Sequence, residues 1–316
     1  VTRILPRGNW LDESGLIVQP AVPEFLGGIE SDKRLTRLDL ANWLTDPEHG
    51  TGTLNARVLA NRMWYLLFGQ GLAPDLTDFG GQGIPPDHPE LLDNLALSLI
   101  EKKWKLKALI KEITLSRAYR QATLPKDGFA SFQVTHRLPA ESIRDNALAI
   151  SGLLVREIGG PSVKPYQPAG YYRHLNFPTR KYSHHADNRQ WRRGLYVHWQ
   201  RQFLHPMMKA FDAPRREECT TQRPRSNTPI AALVLLNDPT FVQAADAFAK
   251  RILAEGGASA DSRMDFAFRQ AVSRKPDDFE RKTLKTLLAS QETQDEKGWT
   301  AIARAILNLA ETNIRR

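Results

Sequence analysis

Over most of this chain apolar residues recur every three or four positions, the period of an amphipathic helix. Leu35, Leu38, Ala41 and Leu44 mark a first face, which Asp46-Pro47 closes because proline cannot donate the next backbone hydrogen bond. A second helix is expected from about Thr53 to Phe68, with Gly69 free to take the left-handed cap. Asp87-His88-Pro89-Glu90 reads as a third start, Asp87 capping while Glu90 reaches back to the cap amide; Leu91, Leu95 and Leu99 follow on one face. Leu106, Leu109, Ile110 and Ile113 mark another helix, and Ile143, Ala147, Ile150 and Leu154 one more, closed by Gly159-Gly160-Pro161. Thr228-Pro229 and Asp238-Pro239 each join a cap to a first-turn proline and open helices over 229–236 and 239–254. Further helices are expected near 261–272, 277–291 and 298–312.

Two stretches lack the period. Residues 1–30 are rich in Pro and Gly and read as an extended arm draped over a neighbour. Residues 162–227 lose helical spacing, and the aromatic and β-branched cluster Gly194-Leu195-Tyr196-Val197-His198-Trp199 predicts a short β-hairpin. The fold class that follows is mainly α, a multi-helix body with an irregular aromatic and basic insertion containing that hairpin. Its parts are the arm 1–30, a first helical half 31–161, the insertion 162–227 and a C-terminal helical half 228–316, together one compact domain.

A chain of 316 residues can bury a large core, and its 41% apolar and 25% charged content is that of a soluble globular protein. No apolar run approaches the roughly 18 residues of a membrane span. The formal charge of +9 and a pI near 9.7 favour acidic partners. Cys219 is the single cysteine, so there is no internal disulfide, no covalent haem attachment and no cysteine zinc site; no cofactor is expected. The chain opens on Val1 without a leader, which reads as a processed end or a fragment.

Charge and rings concentrate in the insertion. From Arg180 to Arg225 there are eleven Lys and Arg against four acids, and between Tyr166 and Arg225 lie five of the seven tyrosines and five of the eight histidines. Rings beside fixed cations suit a ligand that is planar or ring-shaped and anionic. Tyr166, Trp191, Tyr196 and Trp199 are the candidate platforms, and Arg192, Arg193 and Arg223 the candidate clamps, through forked hydrogen bonds to sulfate, carboxylate or phosphate. The bland alternative pairs these arginines with Asp187, Asp212, Glu217 and Glu218.

Outside the insertion, Arg57, Asn61, Trp64 and Phe68 share one helical stripe, able to line a ligand groove or to satisfy loop carbonyls and pack a core; Arg62 is added as a contact. Asp78, next to Phe79 and Gly80, is a candidate base or a partner for Arg62. His88 is a candidate acid-base group, or simply a first-turn residue. Glu141, Arg144 and Asp145 share a helix face, as an intrahelical ion pair or a carboxylate pair for acid and base work. With Asp212, these acids and His88 complete the titratable candidates. The histidines at 174, 184, 185, 198 and 205 lack the spacing of a metal site, so no metal is expected.

Asn55-Ala56-Arg57-Val58, Asn61-Arg62-Met63-Trp64, Phe68-Gly69-Gln70-Gly71-Leu72, Asp78-Phe79-Gly80, Arg137-Leu138-Pro139-Ala140-Glu141, Arg192-Arg193-Gly194-Leu195-Tyr196, Phe211-Asp212-Ala213-Pro214 and Leu236-Asn237-Asp238-Pro239 run in order along the chain. In these motifs the sequence resembles the planctomycete-type domain of unknown function 1553. The resemblance implies the C-terminal module of a large exported protein, hence an extracytoplasmic location, often preceded by a companion domain and a c-type cytochrome module. It also implies an association with breakdown of complex, frequently sulfated, polysaccharides, and brings no established reaction. The leading expectation is a module that binds or processes an anionic glycan. The alternative is a docking module for a cytochrome or companion domain through its acidic protein surface, without catalysis of its own. Nucleic acid comes third, because no helix-turn-helix, ribonucleoprotein or zinc signature is present.

Overall fold

The computed structural model describes residues 1–121, 133–174, 179–201, 203–293 and 295–315, and it is mainly helical. The chain forms two compact units, Val1–Val134 and Thr135–Arg316.

In the first unit, β1 (Thr2–Arg3) pairs antiparallel with β2 (Ile17–Val18), so the start of the arm folds back on itself as a small hairpin. Gly15 is required there, because a Cβ would lie 1.8 Å from the carbonyl oxygen of Ile4. Helix α1 (Arg37–Thr45) starts with a full capping box between Thr36 and Asp39. Helix α2 (Gly52–Phe68) ends on Gly69 in the left-handed conformation, as its sequence predicts. Helices α3 (Pro89–Glu101) and α4 (Leu106–Leu115) complete the unit. Its core joins Ala56, Ala60, Trp64 and Phe68 of α2, spaced four apart, to Leu92, Leu95 and Leu99 of α3 and Leu109 and Ile113 of α4. The start of α3 differs from expectation. His88, not Asp87, is the cap residue and no side chain caps the helix, while the Asp87 amide donates to Leu72 O.

In the second unit, β3 (His136–Arg137) pairs antiparallel with β4 (Ile314–Arg315). Between them run α5 (Ala140–Ser151), α6 (Pro206–Ala210), α7 (Pro229–Asn237), α8 (Pro239–Glu255), α9 (Ala260–Val272), α10 (Asp278–Ala289), α11 (Glu296–Leu307) and α12 (Ala310–Asn313). Helix α8 is central, packing on α5 and α11. Its buried face alternates Phe241 and Phe248 with Ala244, Ala245 and Ala249, whose small side chains let Trp299, Ile302 and Ile306 of α11 approach closely. The expected caps at Thr228 and Asp238 are present, each accepting a first-turn amide.

Three local expectations are corrected. Helix α5 stops at Gly152 (φ 83°), which caps it seven residues before Gly159-Gly160-Pro161. The helix expected over 298–312 divides at Asn308 into α11 and α12. The segment read as a hairpin at 194–199 is instead a 3-10 turn, Gly194–Tyr196, followed by a single parallel bridge between Val197 and Val163. Neighbouring chain is held there by isolated bridges and side chains, not by a ladder.

Candidate functional site

The stripe on α2 belongs to the core. Trp64 and Phe68 stack at 4.0 Å between centroids, and both are buried. Asn61, also buried, exchanges two hydrogen bonds of 3.0 Å with the backbone of Ala73, closing the loop after the helix. Arg57 Nε sits 2.8 Å from Asp93 Oδ1, an ion pair without the alignment of a hydrogen bond, and its guanidinium approaches Phe79. Arg62 lies on the exposed side of the helix. Asp78 Oδ1 accepts from the amide of Gly80 at 2.9 Å, shaping its own loop, and His88 is exposed at the start of α3.

In the second unit the carboxylates of α5 hold the insertion in place. Arg144 is wholly buried, and its guanidinium donates to the carbonyl oxygens of Gln190 and Arg192. Burial lowers its pKa to about 10, against the pull of Asp145, so it remains a cation at neutral pH. Asp145 Oδ1 accepts from the Gly194 amide at 2.6 Å, and its other oxygen is 3.8 Å from Arg193 Nε. Burial raises the Asp145 pKa, with the nearby Glu141 adding to it and the Gly194 hydrogen bond and two arginines opposing it. Glu141 Oε2 accepts from Arg223 at 2.8 Å.

Asp212, in the left-handed region (φ 58°), accepts from the amide and hydroxyl of Ser226 and from Arg137. Burial lowers the Arg137 pKa, with Asp212 opposing the shift.

Two of the three clamp arginines, Arg192 and Arg223, are engaged by hydrogen bonds within the fold. Arg192 is only 3% exposed, donates to the carbonyl oxygens of Glu157, Gly159 and Pro161, and covers the Tyr196 ring at 4.1 Å. Arg192 braces the insertion from within. Arg193 is exposed beside Asp145, and Arg223 is spent on Glu141. Of the candidate platforms, Trp199 has one face covered by Arg216 at 3.8 Å, and the Tyr196 hydroxyl accepts from Gly159 N. Tyr166 lies edge-on to His184, and the half-buried Trp191 passes its carbonyl to Val155.

Each histidine of known surroundings has its own neighbours. His205 Nε2 is 2.7 Å from Tyr166 O, and burial lowers its pKa to about 4. His185 Nδ1 accepts from the amide of Lys164. Among the described residues no three His, Cys, Asp or Glu side chains converge as a metal site would require.

What emerges is a different set of cations. Lys164 and Arg180 both lie close enough to His198 to lower its pKa, after burial, and Arg180 reaches Gln200 at 3.5 Å. That contact sets Arg180-Lys181 beside Gln200-Arg201, with Arg180, Lys181 and Arg201 exposed. The Lys164 ammonium is 5.8 Å from the Tyr182 ring. Ion pairs in the insertion engage Arg189, Arg192, Arg193 and Arg223, and among the described residues none engages Lys164, Arg180, Lys181 or Arg201. The signal was in the sequence, since residues 164–186 hold Lys164, Arg173, Arg180 and Lys181 without one acid.

A family model matches residues 36–288, most of the chain. The chain belongs to that family, PSD1, a protein of unknown function (DUF1553). No curated protein and no solved structure matches. Membership agrees with the resemblance carried by the motifs, and the structure gives several of them a physical reason. In Arg192-Arg193-Gly194, for example, the glycine is demanded because a Cβ would lie 2.9 Å from both Cα and Cβ of Glu141. No helix is long and apolar enough to cross a membrane.

Proposed function

We propose that this chain is a docking module for the acidic surface of a protein partner, with no catalysis of its own. The c-type cytochrome module or companion domain implied by the resemblance is the partner in view. The observation that carries this reading is the patch around His198, where Lys164, Arg180, Lys181 and Arg201 present positive charge that no carboxylate among the described residues neutralises. Protein interfaces use such charge for steering and register. The carboxylates Glu141, Asp145 and Asp212 each hold an arginine or a backbone amide, which suits a scaffold. Glycan binding draws less support, since a saccharide platform needs an open ring face, and arginines cover one face of Tyr196 and one of Trp199.

Binding of this chain to an acidic c-type cytochrome domain, and to sulfated, carboxylated and neutral glycans, is to be measured by calorimetry at low and high salt. Salt-sensitive binding to the cytochrome is expected, weakened by about tenfold or more, roughly 1.4 kcal/mol, in the Arg180→Glu, Lys181→Glu, Arg201→Glu variant. Tight binding to a sulfated glycan with no affinity for the protein, or release of a shortened glycan, would overturn docking and restore the saccharide reading.

A further inference from the structure

The first unit carries a cleft whose charge is opposite to that of the chain as a whole. It has a volume of about 810 Å³, within the usual range for a binding site, and is lined by Glu30 of the arm, Asp39 and Trp43 of α1, and Asp46, Glu48 and His49 of the loop that follows. No lysine or arginine is among its lining residues; Lys33 and Arg34 line a neighbouring hollow, where Arg34 donates to Gln19. The loop wall is set in advance, since the Thr51 amide donates to Trp43 O and a Cβ on Gly50 would lie 2.0 Å from that same oxygen.

Among the described residues no lysine or arginine pairs with these acids. Asp39 accepts from the amide and hydroxyl of Thr36 on one oxygen, and Asp46 accepts from the amides of Glu48 and His49 on one oxygen. Those donors are uncharged and hold both carboxyls below the usual carboxylate range, so each stays an anion with a second oxygen to offer. Glu48 has a long contact of 3.9 Å with its exposed neighbour His49, and Glu30 is exposed.

Trp43 points separately to a guest. It is 8% exposed, and its indole Nε1, a donor with no acceptor capacity, has no hydrogen-bond partner among the described residues. Buried donors are almost always paired, so this one calls for an acceptor brought from outside the fold. A guest that satisfies both features is a cation that also carries a carbonyl oxygen. A protonated polyamine has only donors to offer, and no three ligating side chains converge among the described residues as a metal would require. A lysine or arginine within a peptide supplies charge and carbonyl together.

We propose that the α1 cleft takes a lysine or arginine side chain from a peptide segment of a protein partner, the carboxylates holding its charge and the Trp43 indole donating to a main-chain carbonyl of the same segment. The cleft shares no residue with the Lys164 and Arg180 patch, and the two proposals stand or fall separately.

Titration of the full chain with capped tripeptides that carry lysine, arginine or alanine between two glycines tests this, followed by the Trp43 indole N–H resonance, which Trp43→Phe identifies by its loss. Salt-sensitive binding of the lysine and arginine peptides is expected, with a shift of that resonance, and none of the alanine peptide. Spermidine should bind more weakly and leave the resonance in place. Glu30→Gln with Glu48→Gln changes two exposed side chains, so it keeps the circular dichroism of wild type and is expected to raise the dissociation constant at least about fivefold. Absence of binding by both cationic peptides at millimolar concentration overturns the proposal, as does binding that the double glutamine variant leaves unchanged or that does not move the Trp43 resonance.

Discussion

His205 is a histidine kept neutral by its surroundings. Its Nε2 faces the Tyr166 carbonyl, its ring is buried, and Arg144 adds a cation nearby, so burial chiefly, and that charge, lower its pKa to about 4. An unfolded chain binds this proton near pH 6.5. Between those values the unfolded state holds more protons, so the His205 contribution is complete above about pH 6.5 and is lost as pH falls through about 4. A difference of that size is on the order of 3 kcal/mol. Asp145 and Asp238, whose pKa values burial raises, act in the opposite sense in acid. The effect is therefore read as the difference between wild type and His205→Gln in denaturant melts from pH 7 to 4: the variant should show the flatter profile. None of this was legible in the sequence, where His205 was one histidine of five in a basic stretch. The same holds for Glu141, Arg144 and Asp145. Their spacing correctly placed them on one helix, but their partners lie 46 to 82 residues away, beyond any local pattern.

Helices were the legible elements. Periodic apolar positions and side-chain caps are local physics, which is why α2, α7 and α8 begin or end where Gly69, Thr228 and Asp238 say they should. Asp87 is not the cap of α3, which starts one residue later on His88, while the Asp87 amide is held by Leu72 O from elsewhere in the unit. The insertion was legible only as a loss of period, since turns fixed by arginine-to-carbonyl bonds leave no repeat to read. Its key element is the 3-10 turn Gly194–Tyr196, pressed against the first turn of α5. Gly194→Ala would place a methyl group 2.9 Å from Glu141 Cα and Cβ, neither of which is a flexible side-chain end. Overpacking of that kind costs about 1–3 kcal/mol. A thermal melt should show the loss, while an alanine at the exposed Gly81, with open space around its Cβ position, should be near neutral.

For the molecule as a whole, composition correctly gave a basic protein, apolar spacing a mainly helical one, and the motifs its family. Composition does not say which cations stay unneutralised, because counting cations against acids along a sequence assumes that neighbours in sequence pair. In the fold Arg192 and Arg144 answer to carbonyls, and among the described residues no ion pair engages Lys164, Arg180, Lys181 or Arg201. The attachment through Arg144 carries one more consequence, for proteolysis. The insertion is crowded with trypsin sites, yet those after Arg189, Arg192 and Arg193 adjoin carbonyls or an amide gripped by α5. Brief digestion should nick first after Arg180, Lys181 or Arg201, and Arg144→Met, by releasing two backbone carbonyls at once, should open the guarded bonds to the protease as well.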